Sequence, residues 1–245
     1  MKKIELKNMD KLDYARNEAY KSLRTNIRFC GDDIQTILLT SCTPNEGKST
    51  VSFNLAKALA DDGKKVLLID SDMRKTVLAS RLGATEKDGN KIYGLSHFLT
   101  GQNEVGEVLC GTNVSGLYMI FAGPEVPNPT ELLGNDYFMQ LMDAAKKQFD
   151  YIIIDAPPLG SVIDAAILTP VCDGAIMVIE CNAISYRMAQ TIKKQLSQTG
   201  VRLLGAILNK VDLKKGSYYQ GYYHGYGYYK KAYKGYKGYG SYEKY

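Results

Sequence analysis

A mostly parallel α/β sheet with helices on both faces, trailed by a disordered C-terminal tail, is the fold this sequence predicts. Three observations carry that expectation. Short runs of aliphatic and β-branched residues alternate with stretches of helical length. The runs are apolar almost throughout, as in strands buried on both faces. After Asp212 the alternation stops, and a segment of glycine, tyrosine and lysine takes over. With 245 residues, 45% of them hydrophobic, the chain can bury the core of one large domain or two small ones.

In chain order, a helix is expected over 15–29, where Ala15, Ala19, Leu23 and Ile27 recur at i+4 spacing. The first strand falls at 35–40 (QTILLT), followed by a helix over 49–61. Strands at 65–69 (KVLLI) and 116–120 (GLYMI) enclose a polar, glycine-punctuated stretch, 83–106, expected as loops with a short helix. A helix over 130–148 precedes the strand at 151–154 (YIII). Helices over 163–170 and 185–198 then alternate with strands at 174–179 (GAIMVI) and 203–208 (LLGAIL). This divides the chain into an N-terminal helical segment (1–32), an α/β domain (33–212) and a tail (213–245). The tail has almost no aliphatic residue with which to build a core, so it is expected to be disordered.

The net charge of +5 is unevenly placed. From Leu213 onward there are seven lysines against one acid, Glu243, a net of +6, which leaves the rest of the chain at −1. A nearly neutral body offers no nucleic-acid surface. Five cysteines, odd in number and without paired metal spacing, suit reduced thiols in a cytoplasm. The N-terminus has no apolar signal core, and no apolar run reaches the roughly 18–20 residues that span a bilayer. Membrane association is therefore expected only through a partner.

The chemistry lies at three strand ends. Strand 35–40 runs into Ser41-Cys42-Thr43-Pro44-Asn45-Glu46-Gly47-Lys48-Ser49-Thr50, which ends as a phosphate-binding loop between strand and helix. Thr43, Asn45, Glu46, Gly47, Lys48, Ser49 and Thr50 are its candidate nucleotide contacts. Lys48 would neutralise the β/γ-phosphates, and the Ser49 hydroxyl suits Mg²⁺. Cys42 stands where such loops usually open on glycine or alanine. A lone Gly-Lys-Ser occurs often by chance; its place between a buried strand and a helix gives it weight. The second strand end is Asp70-Ser71-Asp72-Met73-Arg74, and the third is Asp155-Ala156-Pro157-Pro158. Either aspartate site alone could simply cap the following helix. Together with the loop they converge on the sheet edge where α/β folds bind ligands, and carboxylate oxygens are what Mg²⁺ requires.

These three motifs resemble the Walker A, A′ and B set of the bacterial tyrosine kinases, and the tyrosine-rich tail resembles that family's C-terminal cluster. Glu18-Ala19-Tyr20-Lys21-Ser22-Leu23-Arg24 is similar to its Glu-x-x-Arg-x-x-Arg oligomerisation helix, with Lys21 replacing the first arginine. Pro127-Asn128-Pro129-Thr130-Glu131-Leu132-Leu133 also resembles the family. The resemblance runs from about residue 14 to the end. It implies a P-loop kinase using ATP and Mg²⁺ to phosphorylate tyrosines on neighbouring copies of itself, and so to regulate capsule or exopolysaccharide assembly. A tyrosine hydroxyl, with a pKa near 10, needs a base to take or orient its proton. By resemblance that base is Asp70, with Lys48 and Asp72 completing the catalytic set and Ser49, Asp72 and Asp155 at the metal.

The acceptors would be Tyr218, Tyr219, Tyr222, Tyr223, Tyr226, Tyr228, Tyr229, Tyr233, Tyr236, Tyr239, Tyr242 and Tyr245. Each phosphate adds about −1.5 to −2 charges, so three or four would erase the tail's excess of lysine. The implied partners are a transmembrane adaptor of the polysaccharide co-polymerase type, other copies of the chain in a ring joined through Glu18, Lys21 and Arg24, and a tyrosine phosphatase. Peripheral location at the inner membrane face would follow from the adaptor. A plain Glu18–Lys21 pair within the helix is the competing reading of the ring residues. Arg74 would either steady a phosphate or the incoming chain, or form a surface salt bridge.

Two other classes share parts of this pattern. MinD/ParA-type ATPases carry a signature lysine early in the loop, where this chain has Thr43. A GTP-using switch is suggested by Asn209-Lys210-Val211-Asp212 after the last strand, although an asparagine near the base is also what the kinase resemblance implies for Asn209. An RNA-binding tail would leave the three strand-end motifs without a purpose.

Overall fold

The computed structural model describes residues 1–86, 89 and 91–212. The chain opens on a short strand, β1 (Lys2–Leu6), in which Ile4 and Leu6 point inward and Lys3 and Glu5 outward. Helix α1 (Tyr14–Phe29) follows, capped by Asp13, whose carboxylate accepts from Arg16 N at 2.8 Å. Next come β2 (Thr36–Ser41), α2 (Lys48–Ala60) and β3 (Val66–Asp70). A run of short elements succeeds them: α3 (Leu78–Arg81), β4 (Ala84–Glu86), α4 (Leu95–Leu99), α5 (Val105–Val108), β5 (Cys110–Gly111) and β6 (Leu117–Ile120). The last third comprises α6 (Pro129–Leu133), α7 (Asp136–Lys146), β7 (Tyr151–Asp155), α8 (Asp164–Leu168), β8 (Gly174–Glu180), α9 (Tyr186–Gln198) and β9 (Leu203–Asn209).

Among the described residues the strands form one sheet in the order β4-β1-β5-β6-β3-β7-β2-β8-β9. The six strands from β6 to β9 are mutually parallel; β5 runs antiparallel to β6, and β4 antiparallel to β1. The two faces can be read residue by residue. Leu38, Leu67, Ile69, Ile152, Ile154 and Met177 meet Leu133, Phe138, Leu141, Leu168, Ile192 and Leu196 from α6 to α9. Their alternate neighbours Ile37, Leu39, Val66, Leu68, Ile153, Ile176 and Val178 meet Ile27 of α1 and Val51, Leu55 and Leu59 of α2. Apolar side chains thus leave both sides of each central strand, which is why these strands read as unbroken hydrophobic runs.

Two expectations change. The single helix over 130–148 is two, because Gly134 ends α6 and Asn135 starts α7 by accepting from Phe138 N at 3.0 Å. The N-terminal segment is more than a helix, since β1 joins the sheet beside β5 and β4. The chain divides into two units, Met1–Asn209, which is compact, and Lys210–Tyr245. Of the second, only residues 210–212 are described; the tail 213–245 and its twelve tyrosines lie outside the described residues. Among the described residues no helix is long and apolar enough to cross a membrane.

Candidate active site

The loop between β2 and α2 is set by its backbone. Asn45 (φ 67°) and Gly47 (φ 88°) are both left-handed, a conformation asparagine tolerates and glycine adopts freely. Gly47 caps α2 without any side-chain hydrogen bond, whereas α1, α7 and α9 are capped by Asp13, Asn135 and Ser185. The first-turn amides and positive dipole end of α2 are thereby left for an anion. Glu46 does not face this anion site. Its buried carboxylate accepts from Thr43 N at 2.7 Å and Glu180 N at 3.3 Å, bracing the loop to the end of β8. Asn209, at the end of β9, donates from Nδ2 to the Glu46 carbonyl at 2.8 Å. Thr50 Oγ1 accepts from Arg81 at 2.8 Å. Cys42 turns its side chain into the core beneath the loop, and burial, then the Glu46 charge, push its thiol up to about 11.

The carboxylates arrive from the neighbouring strands. Asp70 and Asp155 are register partners on β3 and β7, so the last residues of two parallel strands stand side by side. Lys48 Nζ reaches across from α2 and lies 3.4 Å from Asp155 Oδ1, 3.4 Å from Asp72 Oδ2 and 3.4 Å from Ser49 Oγ. Burial alone would lower the pKa of this ammonium. Asp155, Asp72 and Asp70 outweigh it and hold the group above its ordinary value. Asp70 moves well above the carboxylate range, first through burial and then through the neighbouring Asp155 charge. The Asp72 backbone N–H donates to Asp70 Oδ1 at 3.1 Å, and Lys75 N donates to Asp72 Oδ1 at 3.1 Å, so the turn is tied to its own carboxylates.

Asp155 Oδ1 also accepts from Ser52 Oγ at 3.1 Å, while Asp155 Oδ2 is buried with no hydrogen-bond partner among the described residues. An orphaned carboxylate oxygen, with Asp72 and the Ser49 hydroxyl nearby, fits a hard divalent cation. No group of three or more His, Cys, Asp or Glu that could hold a metal ion alone occurs among the described residues. A cation here would need phosphate oxygens as well, the usual arrangement for Mg²⁺.

The remaining candidates fall away from this centre. Glu18 and Lys21 pair within α1 at 2.9 Å. Arg24 is turned onto the C-terminal end of α2, donating to the Ala58 carbonyl at 2.9 Å and pairing with Asp62 at 3.2 Å. Arg74 grips the buried Asp164 at 2.6 and 3.0 Å and donates to Thr130 Oγ1 at 3.2 Å. The site also uses residues that no sequence motif marked: Ser52, Arg81, Glu180, Asp164 and Gly160. Gly160 presses against the loop so closely that a Cβ there would lie 2.1 Å from the Cys42 carbonyl oxygen.

A parallel sheet carrying a Gly-Lys-Ser loop and strand-end aspartates defines a P-loop nucleotide-binding protein, and the model of the AAA domain family matches residues 36–204. The tyrosine-protein kinase CpsD of Streptococcus pneumoniae is 41% identical over 220 residues, covering 89% of this chain and 95% of the relative. Among solved structures, the kinase domain of Escherichia coli tyrosine kinase ETK superposes with a TM-score of 0.75 at 31% identity, covering 82% of this chain and 78% of that one. The septum site-determining protein MinD of Pyrococcus horikoshii, solved with Mg-ADP, shares the fold at a TM-score of 0.60 and 24% identity, over 71% of this chain and 69% of its own. The chain belongs to the bacterial tyrosine kinases.

Proposed function

We propose that the chain transfers the γ-phosphoryl group of MgATP to tyrosines of the C-terminal cluster on a neighbouring copy of itself. The observation that carries this is the meeting of Lys48, Asp72 and Asp155 at 3.4 Å, beside the uncapped end of α2. In this reading the backbone of residues 43–50 cradles the phosphates, with the Glu46 side chain bracing the loop from behind, Lys48 on the β/γ-oxygens and Asn209 near the base. Ser49, Asp72 and Asp155 hold Mg²⁺, which when bound neutralises charge on the phosphates. Asp70 accepts the proton of the incoming tyrosine as its oxygen bonds to phosphorus and the bond to the ADP oxygen breaks. The place of Asp70 at the end of β3, in register with Asp155 at the end of β7, supports that role.

The wider setting follows the resemblance in sequence. The kinase would act in the cytoplasm, at the inner face of the membrane through a transmembrane adaptor, and govern capsule or exopolysaccharide synthesis, with a tyrosine phosphatase opposing it. Glu18, Lys21 and Arg24 would join copies into a ring; Arg24 must then exchange its bonds to Ala58 and Asp62 for a partner. The test is incubation of the full chain with Mg²⁺, ATP and the adaptor's cytoplasmic end, followed by mass spectrometry of tail peptides, with Lys48→Met as control. Phosphorylated tail tyrosines in the active sample alone are expected; an unmodified tail, or equal modification in the control, refutes the proposal. The alternative is a P-loop switch NTPase, MinD/ParA-like or GTP-using, the latter suggested by Asn209-Lys210-Val211-Asp212; competition showing preference for GTP over ATP would support it.

A further inference from the structure

We infer that Asp164 is a positioning residue which, through Arg74, fixes the spacing between Asp72 and Asp155. The inference rests on the reading that those two carboxylates face the metal. Asp72 and Arg74 share the turn after β3, and Asp155 ends β7. Nine residues beyond Asp155 the chain reaches Asp164, the first residue of α8, whose carboxylate is buried. Arg74 Nε donates to Asp164 Oδ2 at 2.6 Å and an Nη of Arg74 donates to Asp164 Oδ1 at 3.0 Å, the two-pronged geometry that fixes direction as well as distance. Thr130 of α6 closes the cluster: its hydroxyl donates to Asp164 Oδ1 and accepts from Arg74.

Nothing in this cluster touches Lys48, yet it bolts together the two chain segments that deliver Lys48's carboxylate partners. On the N-terminal side of Asp72 the turn is tied to β7 by Ser71, whose N–H and hydroxyl both donate to the Asp155 carbonyl at 2.9 Å; on its C-terminal side the Val126 N–H reaches the Met73 carbonyl only at 3.4 Å, and the Arg74 clamp supplies the firm tie there. Without the clamp, Asp72 is held to the Asp155 segment on the Ser71 side alone and its carboxylate gains freedom relative to Asp155, while the phosphate loop keeps its own brace through Glu46. The predicted defect therefore lies in metal affinity rather than in nucleotide affinity.

The experiment uses the full chain with ADP and titrates Mn²⁺ by electron paramagnetic resonance. In parallel, binding of a fluorescent nucleotide is measured in EDTA, and melting curves are recorded. Asp164→Asn should weaken Mn²⁺ binding about 10-fold and Thr130→Val about 3-fold, at the scale of losses from groups that orient metal ligands. Metal-free nucleotide binding should stay within about 2-fold for both. Thr130→Val leaves the Arg74–Asp164 pair intact, so it carries the test if Asp164→Asn does not fold. Unchanged Mn²⁺ affinity in the folded variants overturns the inference, as does an equal loss of nucleotide affinity in EDTA. If the unaltered chain takes up no Mn²⁺ with ADP, the metal assignment of Asp72 and Asp155 fails first, and the inference with it.

Discussion

Replacing Gly160 by alanine puts one methyl group against the phosphate loop. The new Cβ would stand 2.1 Å from the Cys42 carbonyl oxygen and 3.3 Å from Ile192 Cδ1, where ordinary contact begins near 3.4 Å. Loop and methyl must therefore part by about 1.3 Å, and neither side is free to recede. Leu159 N donates to the Ser41 carbonyl at 3.0 Å, and Thr40 Oγ1 donates to the Pro157 carbonyl at 2.8 Å, so the two segments are tied together immediately before the clash. Overpacking of this kind costs about 1–3 kcal/mol. A shift of about 1 Å in a group that positions substrate lowers turnover on the order of 100-fold. Gly160→Ala should lower the melting temperature and weaken nucleotide binding about 10-fold, equivalent to about 1.4 kcal/mol. Gly134→Ala is the control, because its Cβ meets nothing closer than 3.5 Å. Calorimetry and titration with a fluorescent ATP analogue decide the matter. A Gly160→Ala chain with unaltered melting and affinity would refute the close-packing argument.

Two further outcomes follow from buried polar groups. Glu46→Gln keeps one acceptor oxygen but turns an NH₂ group toward a backbone donor, so denaturant unfolding should show a loss of about 2 kcal/mol; an unchanged midpoint would remove Glu46 as the loop brace. The His97 pKa is lowered, first by burial and then by Lys91, so the unfolded chain binds the proton more readily. Its contribution to stability is complete above the unfolded pKa near 6.5 and is lost as pH falls from there through the folded value. Unfolding midpoints at pH 7.5 and 5.5 should therefore diverge less in His97→Gln than in the unaltered chain; equal divergence contradicts the argument.

Five of the six parallel strands were legible because their side chains leave both faces into apolar surroundings, as Ile37, Leu38 and Leu39 do in succession; β9, at the sheet edge with Leu208 exposed, was legible as an apolar run alone. The strands that escaped notice are short or half-charged. β5 is two residues long, while β1 hides Ile4 and Leu6 between charged neighbours, although its period of two was there to be seen. The phosphate loop and the strand-end aspartates were legible because their chemistry depends on residue type and local order. Glu46 shows the limit: a carboxylate inside a nucleotide loop reads as a ligand, and only the return of β8 beside it supplies the Glu180 amide that makes it a brace. Gly160, Ser52 and Asp164 were hidden for the same reason, since their partners Cys42, Asp155 and Arg74 are distant in sequence or carry no local signature.

The strand order also governs when this kinase can exist during its own synthesis. β2 and β3 carry the phosphate loop and Asp70, yet they are not neighbours: β7 lies between them. Until about 85 further residues have left the ribosome after Asp70, nothing fills that slot, a delay of roughly 4–17 s at ordinary translation rates. A nascent chain that has already exposed Gly-Lys-Ser thus lacks the partner strand that lines up Asp70 and Lys48. Its strand-end cluster stays unassembled until β7 enters the sheet.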